Sequence, residues 1–163
     1  EESIKEICRE RGIARTELTA GQVIKIEENL TLKVLHPLPG DGTAGNDHSL
    51  VLRLVYGDCE WLFTGDIEKD GLEQLLKRQP LLQADVLKLP HHGSISSYDE
   101  AFYQAVRPQA VIVSSGSRYT NHPHPRIREY FLQRKIPLYA TKERGAVITR
   151  SDGKTISIRT ILP

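Results

Sequence analysis

The sequence predicts an α+β fold: either two β-sheets packed face to face with helices outside them, or one mixed sheet carrying the same helices. Three observations lead there. Residues 23–64 hold paired apolar runs of period two that read as hairpins, residues 68–139 alternate short apolar runs with helical spacing, and residues 146–161 return to a hairpin. No internal repeat or low-complexity tract breaks that order.

The elements follow in turn. Ser3-Ile4-Lys5-Glu6 has the form of a capping box and Gly12 stands where a helix would stop, which predicts a short helix over 4–11. Thr19-Ala20-Gly21-Gln22 reads as a turn, and the runs 23–26 and 30–35 alternate about Glu28-Asn29 as a hairpin. Two prolines and three glycines in 36–45 forbid its continuation and predict a long loop. A second hairpin joins 50–55 to 59–64 through Tyr56-Gly57-Asp58. Leu72, Leu75 and Leu76 sit at helical spacing in 68–78, ahead of Pro80. After a strand over 85–89, Ser97-Tyr98-Asp99-Glu100 repeats the capping-box pattern and opens a helix that Pro108 ends. Residues 110–114 read as a buried strand and Pro125 as the first residue of a helix reaching Lys135. Strands over 136–139, 146–149 and 155–161 finish the chain, the last two joined at Asp152-Gly153.

A length of 163 residues suits one domain, enough chain to bury roughly two thirds of its unfolded surface. Apolar residues at 39% and charged residues at 26% are ordinary for a globular chain, and no run approaches the roughly 18 apolar residues of a membrane helix. No signal peptide is present, and the opening Glu1-Glu2, without Met, reads as a cut from something longer. The formal charge of +1 conceals an asymmetry: 10 basic and 15 acidic groups in 1–84 (net −5), then 12 basic and 6 acidic in 85–163 (net +6). A basic second half can draw a phosphate-rich partner or be no more than a solvated surface. Cys8 and Cys59 lack CxxC spacing and define no disulfide framework.

Two apolar runs end abruptly in metal-capable residues: Trp61-Leu62-Phe63 closes on Thr64-Gly65-Asp66, and the strand through Leu87 and Leu89 closes on Pro90-His91-His92-Gly93-Ser94. A rigid sheet fixes the backbone there while the following loop presents the side chain. Asp66 also suits a plainer role, capping a helix that starts near Glu68. Adjacent histidines after a strand place imidazoles on different sides of the backbone, so one can take a metal while the other meets a substrate oxygen or supports the site. In Asn121-His122-Pro123-His124-Pro125 the prolines stiffen the backbone around both imidazoles, or else His124 merely precedes an N1 proline. Asn46-Asp47-His48-Ser49 is the weakest group, with His48 a ligand or a loop residue. Together these describe half of a site for zinc, manganese or iron, since a catalytic zinc takes three protein ligands.

The motifs resemble the later half of a metallo-β-lactamase-fold domain, specifically the carboxy-terminal domain of ComEC-type DNA-uptake proteins. The likeness rests on Asn46-Asp47-His48-Ser49-Leu50-Val51-Leu52, Leu62-Phe63-Thr64-Gly65-Asp66, Leu89-Pro90-His91-His92-Gly93-Ser94 with Ser97, and His122-Pro123-His124-Pro125, in that order. The resemblance implies an αββα sandwich incomplete at its N-terminal side, residues 1–163 being the C-terminal part of one domain. It implies Asp66 as a metal-bridging aspartate and a metal ligand within the pair His91 and His92, without saying which. It places His122 near the substrate phosphate as the catalytic group, with Ser94, Ser97 and His124 as phosphate-binding helpers. The upstream HxHxDH cluster of that family is missing, so the resemblance implies a divalent metal, zinc or manganese, in the intact domain and little metal binding or activity in this chain alone. It implies single-stranded DNA as substrate, the rest of a polytopic membrane protein as partner, and an extracytoplasmic position. An uncovered strand edge would favour self-association. The rival expectations are a binding or regulatory module without turnover and a hydrolase of another ester.

Overall fold

Seven strands stand side by side in the order in which the chain makes them. β1 (Val23–Glu27), β2 (Leu30–His36), β3 (Val51–Tyr56) and β4 (Cys59–Phe63) pair antiparallel, and β5 (Val86–Lys88), β6 (Ala110–Val113) and β7 (Leu138–Ala140) then add to β4 in parallel. The computed structural model describes residues 2–40, 44–79, 81–116 and 121–163. Asp41, Gly42 and Thr43 of the expected loop, and Pro80, the expected helix stop, lie outside the described residues.

Parallel addition needs a crossover, and α2 (Lys69–Arg78), α3 (Glu100–Val106) and α4 (Pro125–Gln133) supply the three. Crossovers of one hand stepping in one direction lie on one face of a sheet, so these helices share a face. Period-two alternation then sorts the strands. Leu62, Leu87, Leu89, Val111 and Val113 meet Leu72, Leu75, Phe102, Tyr103, Val106, Ile127 and Phe131, each at most 2% exposed. Every such side chain contributes roughly 1.5–3 kcal/mol by leaving water.

The alternate residues Cys59, Trp61 and Val86 turn to the other face, where they pack with Tyr56, Ile112, Ile156 and Ile158. The last two belong to β9 (Ile156–Thr160), which pairs with β8 (Val147–Ser151) as a separate two-stranded sheet after the short helix α5 (Thr141–Arg144). Both expected arrangements are thus realised in part: the large sheet is mixed, and a small second sheet lies against the face opposite the helices. Asp58 N donates to the Gly153 carbonyl at 2.7 Å, and a Cβ on Gly57 would stand 2.3 Å from that oxygen, so this junction requires glycine.

Local differences have local causes. α1 (Glu2–Glu10) starts before Ser3, which lies inside the helix instead of capping it. At α3 the cap is Asp99, whose carboxylate accepts from Phe102 N at 2.9 Å, and not Ser97, whose hydroxyl bonds the Pro90 and Ser94 carbonyls within a buried turn. Among the described residues no helix is long and apolar enough to cross a membrane.

Candidate functional site

The parallel strands β4 to β7 end on one side of the sheet, and the chemistry-bearing loops follow those ends. Thr64 Oγ donates to the Lys88 carbonyl at 2.8 Å, clasping the end of β4 to that of β5. Gly65, at φ +56°, reverses the chain so close to Ser49 that a Cβ would sit 3.0 Å from the serine Cβ, and Asp66 N then donates to Ser49 Oγ at 3.1 Å. The Gly65 carbonyl accepts from His91 N at 3.2 Å and from Lys88 Nζ at 3.3 Å. Burial pushes the Lys88 pKa down, and the neighbouring Asp66 opposes it. The helix-capping role considered for Asp66 is filled by Asp47, whose Oδ1 accepts from Glu68 N at 3.0 Å and Gly71 N at 2.9 Å. The Asp66 carboxylate is therefore not engaged in the cap, and its side chain is 44% exposed.

His91, His92 and Gly93 all adopt left-handed backbone, at φ 43°, 55° and 76°. This turn corrects the expectation drawn from strand geometry: the rings do not part to opposite sides but meet edge to face, with centroids 6.1 Å apart and planes at 64°. Left-handed backbone costs roughly 1–2 kcal/mol for each non-glycine residue, so the surroundings must hold it. His92 Nδ1 donates to the Ser114 carbonyl at 2.6 Å, and its Nε2 stands 3.6 Å from Asp66 Oδ1. His91 Nδ1 lies 2.8 Å from Glu68 Oε1, which also accepts from Ser96 Oγ at 2.9 Å and Asn46 Nδ2 at 3.4 Å. The Ser96 bond foremost, then that of Asn46 and the His91 ring, hold the Glu68 carboxyl below the usual carboxylate range against the opposing effect of burial.

The third motif leans on the second. A Cβ on Gly93 would meet Pro123 Cβ at 2.6 Å, and His124 N donates to the Gly93 carbonyl at 2.8 Å. Burial lowers the His122 pKa, assisted by His91, His92, Lys142 and His124. The structure thus sets Asp66 beside His92 and His92 beside His91, which pairs with Glu68, and His122 feels both rings. The expected phosphate helpers sit differently. His124 Nδ1 accepts from Arg126 N at 3.2 Å as the cap of α4, and Ser97 is fully buried with its hydroxyl committed to the turn. Ser94 Oγ accepts from Ser96 N at 3.3 Å and shares a hydrogen bond with Ser96 Oγ at 2.9 Å. His48 is exposed in a 3-10 turn, Gly45–His48.

Three residues at this site escaped sequence reasoning, Glu68, Lys88 and Ser96, and Asn46 figures there only as part of the weakest group. Glu68 carried a signal, a second carboxylate two positions beyond Asp66, which the reading of position 68 as a helix start obscured.

Donor chemistry supplies the test of a metal. Two ligands at about 2.0–2.2 Å from a tetrahedral ion stand about 3.4 Å apart, close to the 3.6 Å between His92 Nε2 and Asp66 Oδ1. An imidazole nitrogen and a carboxylate oxygen suit a divalent ion such as zinc or manganese. Among the described residues no three His, Cys, Asp or Glu side chains gather as a ligand set, so this pair fits part of a coordination sphere.

Fold and site together define an α+β protein whose parallel strands gather imidazoles and carboxylates at their carboxyl ends. No protein-family model matches the chain. It is 36% identical over 149 residues to ComE operon protein 3 of Bacillus subtilis (strain 168), a match covering 90% of this chain and 19% of that protein. It is 34% identical over 124 residues to Competence protein ComA of Neisseria gonorrhoeae, covering 74% and 18%, and 35% identical over 122 residues to Recombination protein 2 of Haemophilus influenzae (strain ATCC 51907 / DSM 11121 / KW20 / Rd), covering 74% and 15%. The chain spans less than a fifth of the length of each of these relatives. These likenesses support a relationship to ComEC-type competence proteins.

Proposed function

We propose that this chain is part of a metallo-β-lactamase-like domain of a competence membrane protein, and that the complete domain hydrolyses phosphodiester bonds of DNA during uptake. The reading rests on one observation: His92 Nε2 and Asp66 Oδ1 stand 3.6 Å apart at the ends of neighbouring parallel strands. The relatives' names support the setting, two of them being Competence protein ComA and ComE operon protein 3.

Asp66 and His92 would hold a divalent metal, zinc or manganese, which when bound neutralises charge on the attacked phosphate. The remaining steps belong to this chain's own residues. The Ser114 carbonyl fixes the His92 ring through Nδ1, so Nε2 carries the lone pair on the side of Asp66. His122, its pKa lowered by burial and by its cationic and imidazole neighbours, offers a ring N–H as hydrogen-bond donor to a phosphate oxygen. Ser94 is the remaining phosphate helper, while Ser97 and His124 shape the loops.

The test uses the full-length protein with manganese or zinc and single-stranded DNA. Cleavage that chelation abolishes, and that Asp66→Ala lowers by at least ~100-fold, is the expected result. A second reading, a binding module without turnover, is favoured by the incomplete ligand set among the described residues. DNA binding that survives chelation and ignores Asp66→Ala, without cleavage, would establish it.

A further inference from the structure

The two imidazoles are alike in sequence but not in surroundings. Each is fixed through Nδ1, which makes Nε2 the lone-pair nitrogen of the neutral ring. The acceptors differ: a backbone carbonyl for His92, and a carboxylate held by two further donors for His91. Distance separates the pairs further. At 2.8 Å the Glu68 oxygen and His91 Nδ1 are a hydrogen bond, too close for two ligands of a tetrahedral ion, whereas 3.6 Å between Asp66 and His92 is too long for a hydrogen bond and near the spacing of two such ligands.

We infer that the twin histidines are divided: His92 shares a divalent cation with Asp66, while His91 is held outside that pair by Glu68, a positioning residue that keeps it in the Nδ1–H tautomer. A serine relay supports Glu68. Ser96 Oγ donates to Glu68 Oε1 at 2.9 Å and is itself steadied by Ser94 Oγ at 2.9 Å, while Asn46 Nδ2 reaches the same carboxylate oxygen at 3.4 Å. Ser94 and Asn46 thereby act on His91 through Glu68, while Ser96 does so and also stands 3.4 Å from His91 Nδ1 itself. The assignment of His92 rests on the cation reading above; the Glu68 hold on His91 does not.

Nitrogen-15 NMR of the histidine rings tests both halves on this chain, with His91→Gln and His92→Gln assigning the resonances. His91 should be in the Nδ1–H tautomer at neutral pH. Glu68→Ala should move it toward the commoner Nε2–H form, and Glu68→Gln, whose amide oxygen still accepts, should restore much of the original population. Ser96→Ala, a milder change, should shift it part of the way, so the result survives if Glu68→Ala fails to fold. Zinc added alone should move the His92 Nε2 resonance before that of His91, in wild type and Glu68→Ala alike. A His91 tautomer indifferent to Glu68→Ala and Ser96→Ala overturns the positioning role. Zinc moving His91 first overturns the division. Zinc moving neither ring, in this chain and in the complete domain alike, overturns the assignment of His92 together with the cation reading, while a tautomer shift in the variants still supports Glu68.

Discussion

Acidification should cost stability at His122. Burial, then the charges of His91, His92, Lys142 and His124, hold its pKa below the ordinary 6.5. The unfolded chain therefore takes up this proton at a higher pH than the folded one. The contribution of His122 to stability is intact above pH ~6.5 and declines as the pH falls through that value toward the depressed folded one. Urea midpoints between about pH 8 and about pH 5 should drop for the wild type, and His122→Asn should lessen the drop. An unchanged pH profile in the variant would show that this imidazole titrates as it does in the unfolded chain. The neighbouring turn is equally exacting: Gly93, at φ +76° and packed on Pro123, leaves no room for a side chain.

At the scale of elements, α2 hangs on a residue from another loop. Asp47 supplies both of its capping bonds, to Glu68 N and Gly71 N, across more than twenty positions of sequence. Asp47→Ala should cost about 1 kcal/mol, up to about 2, and Asp47→Asn much less, because its amide oxygen still accepts. Chemical denaturation of the two variants checks this. That cap also marks where sequence reading stopped. Strands and helices were legible because period two and helical spacing are local, and the displaced strand ends are within a residue or two. The ends of β4 and β5 announced Asp66, His91 and His92 for the same reason. Contacts between loops were not legible: nothing local says that Asp47, and not Asp66, caps α2, or that Asp99 outcompetes Ser97 at α3. Nor does alternation foresee left-handed backbone at two histidines, which comes from the Gly93–Pro123 contact and the bonds to Ser114 and Glu68.

The whole molecule carries an open flank. β1 is one of the two edge strands, and its Val23, Ile24 and Ile26 are 59%, 37% and 51% exposed. An exposed apolar edge recruits other edges, so light scattering by this chain should rise with concentration, and Ile24→Lys should reduce it. Wild-type chain that stays monomeric throughout would remove the argument. The opposite quality lies in the succession of the strands. Each strand of the large sheet after β1 finds its first partner in the strand translated just before it. Within β1 to β7 no place waits for a strand made later, so the loops that close this sheet join consecutive strands. Growth can run in one direction, like a zip, with the β8–β9 hairpin laid down on a sheet face whose strands are already paired.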